Sequence, residues 1–180
     1  MRVIRSLDGV TPAGSGTVVT IGNFDGVHLG HQAILQQVVA RARELDLTPA
    51  VLTFDPHPAR VLSPATAPLL INTVGQKLRR LEQAGAEVVV LAPFSADFAA
   101  LSPEEFARRV LRDTLNARVV MTGEDFRFGR RQAGDIGKMR ELGAELGFTV
   151  ETIRDIGAGP LADRISSTRI RGLIAAGKVS

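Results

Sequence analysis

The sequence predicts an α/β fold built on a doubly wound parallel sheet. Strand-like and helix-like segments alternate about five times along the 180 residues, which is typical of parallel strands joined by helical crossovers. The segment Glu87–Leu91 is almost continuously apolar, as expected for a strand that is covered on both faces. The chain is long enough to bury a sizeable core, and we expect one domain over residues 1–180.

The first half of the chain starts with a strand over Thr17–Gly22, where β-branched residues end at a glycine. A helix is predicted over Leu29–Leu45, because apolar residues recur there at the spacing of one buried helical face. A second strand is predicted over Pro49–Phe54. The segment Asp55–Asn72 contains several prolines and is expected to be irregular, as lids and binding loops often are.

The second half alternates in the same way. A helix over Thr73–Ala84 ends at Gly85, and the strand Glu87–Leu91 follows. A Ser-Pro-Glu-Glu capping box predicts a helix from Pro103 to about Leu115. The remaining predicted elements are the strand Arg118–Thr122, the helix Ile136–Leu146, the strand Phe148–Ile153 and the helix Ser167–Ala176.

The composition excludes several classes of protein. Apolar residues make up 44% of the chain and charged residues 23%, which argues against intrinsic disorder. The chain has no cysteine, which excludes disulfides, thiolate metal centres and a cysteine nucleophile and fits a reducing cytoplasm, where we expect the protein. Apolar runs such as Val88–Pro93 are too short to span a membrane, and no signal peptide is visible.

The net charge of +3 conceals a local excess of positive charge near the C-terminal end. Arg164, Arg169, Arg171 and Lys178 lie in a stretch without acidic residues. A nucleic-acid-binding protein usually has a larger basic footprint, so we expect neither nucleic acid nor a membrane as a partner. The cluster suits a small phosphorylated ligand, and the alternative is a helix that carries solvated arginines.

Three predicted strand ends carry unusual sequences, and parallel strands would bring them to one edge of the sheet, where ligands bind. The first, Gly22–His31, reads GNFDGVHLGH. His28 and His31 lie on one helical face beside free N–H groups and the positive end of the helix dipole. Gly30 leaves room for a phosphate to approach. We expect an anion site here; the alternative is that His28 only caps the helix and His31 is packed.

The second strand end, TFDPHP, contains Phe54, Pro56, His57 and Pro58. An aromatic ring, two prolines and one polar group form a stiff shelf on which a flat ligand can stack. The alternative is a loop stiffened by prolines, with Phe54 in the core.

The third strand end, residues 123–131, contains Phe126 and Phe128. In an extended loop, side chains two residues apart point to opposite sides, so one ring is expected in the core and the other towards a ligand. The neighbouring arginines can reach a phosphate or lie on a solvated surface.

A fourth motif begins the last predicted helix. Ser166, Ser167 and Thr168 bring hydroxyl groups to free N–H groups at the helix start, which predicts a second anion site. Arg169 and Arg171 project to different sides of this helix, so one of them is expected to meet a phosphate. The alternative is an ordinary serine cap.

Together these motifs resemble a known family. The HxGH motif of His28–His31 resembles the signature of the adenylyl- and cytidylyltransferase superfamily. The longer string GNFDGVHLGH, followed by the Phe54–Pro58, Phe126–Phe128 and ISSTRIR segments, is similar to the N-terminal module of bacterial FAD synthetases, which are bifunctional riboflavin kinase/FMN adenylyltransferases. The resemblance covers essentially the whole chain and implies a Rossmann-like nucleotidyltransferase fold.

The resemblance also implies roles for individual residues. Those matched to ATP binding are Gly22, Asn23, Phe24, Asp25, His28, Gly30, His31, Ser166, Ser167, Thr168 and Arg171. Those matched to the flavin are Phe54, Pro56, His57, Pro58, Asp125 and Phe128. The catalytic set is His28, His31 and Arg171. Some relatives carry asparagine at the position of Asp125, and an ionised aspartate cannot donate the same hydrogen bond.

The implied reaction is transfer of the adenylyl group of ATP to the phosphate of FMN, which gives FAD and pyrophosphate. Mg²⁺ is expected to arrive with ATP, without dedicated protein ligands. The riboflavin kinase module of the family is expected just after Ser180 and is absent from this chain. Two alternatives remain: an HxGH nucleotidyltransferase with another phosphate acceptor, and a flavin- or nucleotide-binding module that does not catalyse.

Overall fold

The computed structural model describes residues 1–7, 14–153 and 166–178. Within these residues six strands form one sheet, and every pair of neighbouring strands is parallel. The strands are β1 Arg2–Ile4, β2 Thr17–Ile21, β3 Thr48–Asp55, β4 Val88–Pro93, β5 Ala117–Thr122 and β6 Thr149–Thr152. Their spatial order is β1-β4-β3-β2-β5-β6. The prediction of a parallel α/β sheet is confirmed.

Helices cover both faces of this sheet. They are α1 Leu29–Glu44, α2 Pro58–Leu62, α3 Val74–Gln83, α4 Ala96–Ala99, α5 Pro103–Glu105 with a π-helical continuation over Phe106–Thr114, α6 Ile136–Leu146 and α7 Ser167–Ala175. The buried residues of α1 and α3 pack on one face, and those of α6 and of the π-helical segment pack on the other. No helix among the described residues is long and apolar enough to cross a membrane.

Burial on both faces explains the continuous apolar runs in the sequence. Along β3, Val51 belongs to the core under α1 and α3, whereas Leu52 belongs to the core on the opposite face. Val89 and Val90 of β4 divide in the same way. A strand with two buried faces needs apolar side chains at successive positions, so its sequence does not alternate.

The strand order reverses at β2. From β2 the chain runs to β3 and β4 on one side, and then crosses to β5 and β6 on the other. In open parallel sheets the crevice at such a reversal, beyond the carboxyl ends of the strands, is the usual place for a ligand. The segments after β2, β3 and β5 therefore meet at one edge, as the sequence predicts.

The structure adds short elements that the sequence pattern did not reveal. β1 has three residues, too few for a recognisable pattern, and it forms an edge beside β4. The segment predicted to be irregular contains α2 and a 3₁₀ turn over Pro64–Thr66. Proline is compatible with the first position of a helix, so Pro58 and Pro64 start helical turns here.

Candidate active site

The loop between β2 and α1, residues 22–28, here called the histidine loop, is held by side chains from the surrounding elements. Thr53 Oγ1 donates to the carbonyl of Asn23 at 3.0 Å, and the Arg80 guanidinium donates to the carbonyl of Gly26 at 3.2 Å. Phe24 and Val27 adopt positive φ angles of 47° and 41° although neither is glycine. Both side chains are buried, and this burial stabilises a strained backbone that would otherwise relax.

His28, at the end of this loop, and His31, in the first turn of α1, are direct neighbours, as predicted. His28 is the N-cap of α1, and its Nδ1 accepts a hydrogen bond from the backbone N–H of His31 at 3.4 Å. The two imidazole rings stack with their centroids 3.7 Å apart, and Phe24 contacts His31 from another side. The Nδ1 atom of His31 is buried and has no hydrogen-bond partner among the described residues. His28 therefore caps the helix, but capping does not account for His31.

Both imidazoles are neutral at pH 7 in this environment. Burial lowers the pKa of His31 to about 3, and the neighbouring His28 acts in the same direction. Burial also lowers the pKa of His28, against the opposing effect of Asp25. A neutral imidazole carries one N–H donor and one acceptor. At pH 7 the pair can thus offer hydrogen bonds to an anion at the start of α1, where the helix dipole also favours negative charge.

The start of α7 is attached to the same loop. Arg171 donates from Nη2 to the carboxylate of Asp25 at 2.6 Å and from Nε to the carbonyl of Leu69 at 2.9 Å. Asp25 is 2% exposed and also accepts the backbone N–H of Ile71 at 3.0 Å. Ser167 Oγ donates to the carbonyl of Asp25 at 2.9 Å. The buried carboxylate of Asp25 thus joins α7 to the histidine loop.

The other predicted residues of this motif have smaller structural roles. Ser166 caps α7 by accepting the backbone N–H of Arg169 at 3.2 Å, and Thr168 is exposed. Arg169 is exposed whereas Arg171 is packed against the loop, so the two arginines do face different sides. Arg164 lies outside the described residues. The contact between Arg171 and a phosphate stays a prediction.

A cleft of about 860 Å³, here called the aromatic cleft, opens beside the histidine loop. Six of the eight phenylalanines of the chain line it, namely Phe54, Phe94, Phe98, Phe106, Phe126 and Phe128. Neighbouring rings in this set lie 5.4 to 6.2 Å apart between centroids. Gly22 and Asn23, the first residues of the histidine loop, also line the cleft. A pocket of this size and composition suits a flat, drug-sized ligand.

Phe126 and Phe128 do not point to opposite sides, and that prediction is wrong. Their rings stack at 5.7 Å with an angle of 10° between their planes, and both line the cleft. The segment is not extended, because the N–H of Phe126 closes a turn onto Gly123 and Phe128 pairs with Gly134. A Cβ atom at Gly134 would lie 2.6 Å from the ring of Phe128, so only glycine fits there.

The predicted shelf after β3 divides between two places. Phe54 and Pro58 line the aromatic cleft, whereas Pro56 and His57 are not among the lining residues. His57 caps α2 by accepting the backbone N–H of Ala59 at 3.2 Å. Burial lowers the pKa of His57, and the carboxylate of Asp25 opposes this shift.

Asp125 is exposed in the turn after β5 and does not line the cleft. Gly30 is half-buried in the first turn of α1. The flavin contact implied for Asp125 and the phosphate contact implied for Gly30 both stay predictions.

Sequence reasoning missed two groups of residues. Lys77 is buried and donates to the carbonyl of Asn23 at 3.0 Å, and a lysine on the apolar face of a predicted helix was the available signal. Phe94, Phe98 and Phe106 were missed because their share in the cleft depends on packing between separate elements. The clustering of phenylalanine in a chain without Tyr or Trp was the only hint.

The site combines two kinds of binding surface at the carboxyl edge of a parallel sheet. One is a helix start with two neutral imidazoles, which suits phosphate. The other is an aromatic cleft, which suits a flat ring system. The described residues contain no group of three or more His, Asp or Glu side chains placed to hold a metal ion. Fold and site together define a doubly wound α/β protein with an aromatic cleft and a helix start side by side at the carboxyl edge of its sheet.

The chain belongs to the FAD synthetase family, whose model matches residues 11–169. It is 38% identical to a bifunctional riboflavin kinase/FMN adenylyltransferase of Pseudomonas fluorescens, over 98% of this chain and 56% of that protein. It is 35% identical to the protein of the same name from Escherichia coli strain K12, over 97% of this chain and 56% of that protein. The chain thus spans little more than half the length of these relatives.

A solved structure has the same fold. A protein described as a macrolide-efflux protein from Streptococcus pneumoniae superposes with a TM-score of 0.83 at 29% sequence identity. The match covers 99% of this chain and 58% of that one. This likeness supports the arrangement of the described residues around one doubly wound sheet.

Proposed function

We propose that this chain is an FMN adenylyltransferase module over residues 1–180. It would transfer the adenylyl group of ATP to the phosphate of FMN, giving FAD and pyrophosphate. Membership of the FAD synthetase family and the names of the relatives support this reaction. A cytoplasmic location, the expectation from a chain without cysteine, is part of the proposal.

One observation carries the proposal: the aromatic cleft and the histidine loop share Gly22 and Asn23. A flavin ring stacked between the phenylalanines would extend its ribityl phosphate along these two residues towards His28. ATP bound at the start of α1 would bring its phosphates to the same point from the other side. The two reactants would then meet without any movement of the sheet.

The chemistry needs no protein nucleophile. An oxygen of the FMN phosphate attacks the α-phosphorus of ATP in line, a new phosphorus–oxygen bond forms, and the bond to the β-phosphate breaks. Pyrophosphate leaves with the electron pair of that bond. The protein contributes position and hydrogen bonds to the charge on the phosphates.

We assign the phosphate contacts to His28, His31, Ser166, Ser167 and Arg171. His31 fits this role because it lies in the first turn of α1 and its Nδ1 has no hydrogen-bond partner among the described residues, while its ring packs against Phe24 and His28. Arg171 fits it because its contacts with Leu69 and Asp25 use Nε and Nη2, and the guanidinium has further N–H donors for a phosphate. Phe54, Phe126 and Phe128 would hold the flavin ring.

Mg²⁺ is treated as part of the substrate, bound to ATP. The carboxylate of Asp25 is occupied by Arg171 and Ile71, and no cluster of three metal-binding side chains is present among the described residues. Mg²⁺ commonly keeps several waters and binds substrate phosphates with few protein ligands. The ion would neutralise charge on the phosphates during transfer.

The relatives suggest the wider context. Because they are bifunctional and nearly twice as long, we propose that the module works next to a riboflavin kinase module in the full-length protein. This chain alone is then expected to adenylylate FMN but not to phosphorylate riboflavin.

The test is incubation of the purified chain with FMN, ATP and Mg²⁺, with FAD and pyrophosphate measured by chromatography. FAD formation supports the proposal, and a parallel reaction with riboflavin should give no FMN. FMN binding without turnover would favour a binding module that does not catalyse. Turnover with another phosphorylated acceptor, but not with FMN, would favour a different HxGH transferase.

A further inference from the structure

Lys77 is a buried cation for which the proposed reaction has no role. It lies on α3 and is 7% exposed, on the same helical face as the fully buried Leu81. A lysine is almost never buried to this extent unless its ammonium group has partners. Burial lowers the pKa of Lys77, and the carboxylates of Asp25 and Asp55 oppose that shift.

The partners of Lys77 belong to the two halves of the site. Its Nζ donates to the carbonyl of Asn23 at 3.0 Å and to the carbonyl of Phe54 at 3.5 Å. Asn23 lies in the loop that leads to His28, while Phe54 is the penultimate residue of β3 and places its ring in the aromatic cleft. One ammonium group therefore ties the nucleotide side of the site to the flavin side.

Other bonds already join the loop to β3. Thr53, next to Phe54 in β3, donates from Oγ1 to the carbonyl of Asn23 at 3.0 Å, and the N–H of Gly22 donates to the carbonyl of Leu52 at 3.1 Å. Arg80, one turn further along α3, donates to the carbonyl of Gly26 in the loop at 3.2 Å. Among the described residues, Lys77 is the side chain of a third element, α3, that bonds to both segments, so it fixes the two against a common helix.

We propose that Lys77 is a positioning residue for adenylyl transfer, which sets the distance between the histidine loop and the flavin cleft through the carbonyls of Asn23 and Phe54. This inference rests on the proposed function. A misplacement of about 1 Å between reacting groups can lower a rate on the order of 10²-fold. Lys77 acts through two backbone carbonyls, so its loss should lower kcat more than it weakens the binding of either substrate.

The test compares Lys77→Met with Arg80→Met. Methionine keeps the length of the buried side chain and removes every donor, whereas Arg80→Met removes a cation that holds only the loop. We expect Lys77→Met to lower kcat for FAD formation on the order of 10²-fold, with KM for ATP and FMN within about threefold of wild type. Arg80→Met should mainly raise KM for ATP. Lys77→Gln, with a shorter donor that can reach one carbonyl, should fall between wild type and Lys77→Met.

Two results would overturn the role of Lys77: a kcat for Lys77→Met within about threefold of wild type, or losses in kcat and KM that match those of Arg80→Met. If Lys77→Met fails to fold, as judged by circular dichroism, Lys77→Gln decides. A kcat at least about tenfold lower with unchanged KM supports the role, and a wild-type kcat overturns it.

An equilibrium measurement separates this inference from the proposed function. FMN affinity is measured by flavin fluorescence with and without Mg²⁺ and a non-hydrolysable ATP analogue. We expect the two ligands to influence each other in the wild-type chain, and this coupling to disappear in Lys77→Met while each separate affinity remains. Equal coupling in both proteins overturns the role of Lys77. A wild-type chain that binds both ligands but forms no FAD overturns the proposed function, and the loss or persistence of coupling in Lys77→Met then still decides whether Lys77 links the two halves of the site.

Discussion

Replacing Arg171 by alanine should destabilise the chain by about 3 kcal/mol, because it leaves the carboxylate of Asp25 buried without its cation. Removing one partner of a buried ion pair typically costs about 3 to 5 kcal/mol. The lower end applies here, since the Arg171 side chain is 22% exposed and the N–H of Ile71 still binds Asp25 at 3.0 Å. For a chain of this size the loss corresponds to a fall in Tm of about 6 to 12 °C.

Arg171→Lys should be milder but still measurable. Arginine uses two different nitrogens here, with Nε on the carbonyl of Leu69 and Nη2 on Asp25. A single ammonium group keeps the charge but cannot reproduce this planar geometry, so at least one bond is lost. We expect a loss of about 1 to 2 kcal/mol for this variant.

Thermal unfolding followed by circular dichroism measures both effects. Arg169→Ala is the matched control, because Arg169 is exposed on the same helix, and we expect it to stay within about 0.5 kcal/mol of wild type. The double variant Asp25→Asn with Arg171→Ala should recover part of the loss, since no uncompensated carboxylate remains. If Arg171→Ala has the same Tm as Arg169→Ala, the ion pair does not anchor α7. The same conclusion follows if the stability losses of Asp25→Asn and Arg171→Ala simply add up in the double variant.

The same variants distinguish docking of α7 from the predicted phosphate contact. FAD formation is measured at saturating MgATP and at a temperature where every variant is folded. If Arg171 contacts the triphosphate, Arg171→Lys should lower kcat distinctly more than Arg169→Lys, because a lysine cannot make two parallel bonds to phosphate. If both lysine variants keep equal and near-wild-type rates, Arg171 does not contact the triphosphate and only holds α7 against the histidine loop.

Three further predictions concern the histidines and the aromatic cleft. His28→Ala and His31→Ala should each lower FAD turnover roughly 10² to 10³-fold with an unchanged circular dichroism spectrum; a variant that keeps its turnover has lost only a capping or packing residue. Folding lowers the pKa of His31 from 6.5 to about 3, so the unfolded chain binds the extra proton. The contribution of His31 to the free energy of unfolding is fully present above about pH 6.5 and is lost towards pH 3 by up to about 1.4 kcal/mol per pH unit. Tm of the His31→Gln variant should therefore depend less on pH than Tm of the wild type. Phe126→Ala should weaken FMN binding by about 1 to 3 kcal/mol and leave ATP binding unchanged. Phe128 is 5% exposed, so Phe128→Ala should also lower Tm. If a titration shows that FMN and ATP binding are weakened equally, these rings belong to the core and not to a flavin site.

The fold was predictable because each piece of evidence for it is local. The spacing of apolar residues defines a helix such as α1, and a two-sided apolar run defines a strand such as β4. Once the elements alternate, a parallel sheet follows, and its carboxyl edge is the place for the site. Three-residue β1 carries too little pattern to be found in this way.

Contacts inside the site were not predictable, since they join residues that are far apart in sequence. The motif GNFDGVHLGH predicts a loop followed by a helix start, and it therefore correctly predicts that His28 lies beside His31. It does not report that Asp25, in the middle of that string, is neutralised by Arg171 at a separation of 146 residues. The local pattern around Phe126 and Phe128 even suggested the wrong geometry, because their pairing depends on a bridge to Gly134.

These long-range contacts change how the charges of the site are understood. Read as a sequence, the site contains histidines and an arginine that are all available to a phosphate. In the folded chain the imidazoles are neutral and the guanidinium of Arg171 is bound to Asp25. A triphosphate at this site would then depend on the N–H groups at the start of α1 and on the guanidinium N–H groups that Arg171 does not use for Leu69 and Asp25. Because Asp25 is 2% exposed and lies 2.6 Å from Nη2 of Arg171, its carboxylate would offset much of the positive charge that Arg171 brings to a phosphate.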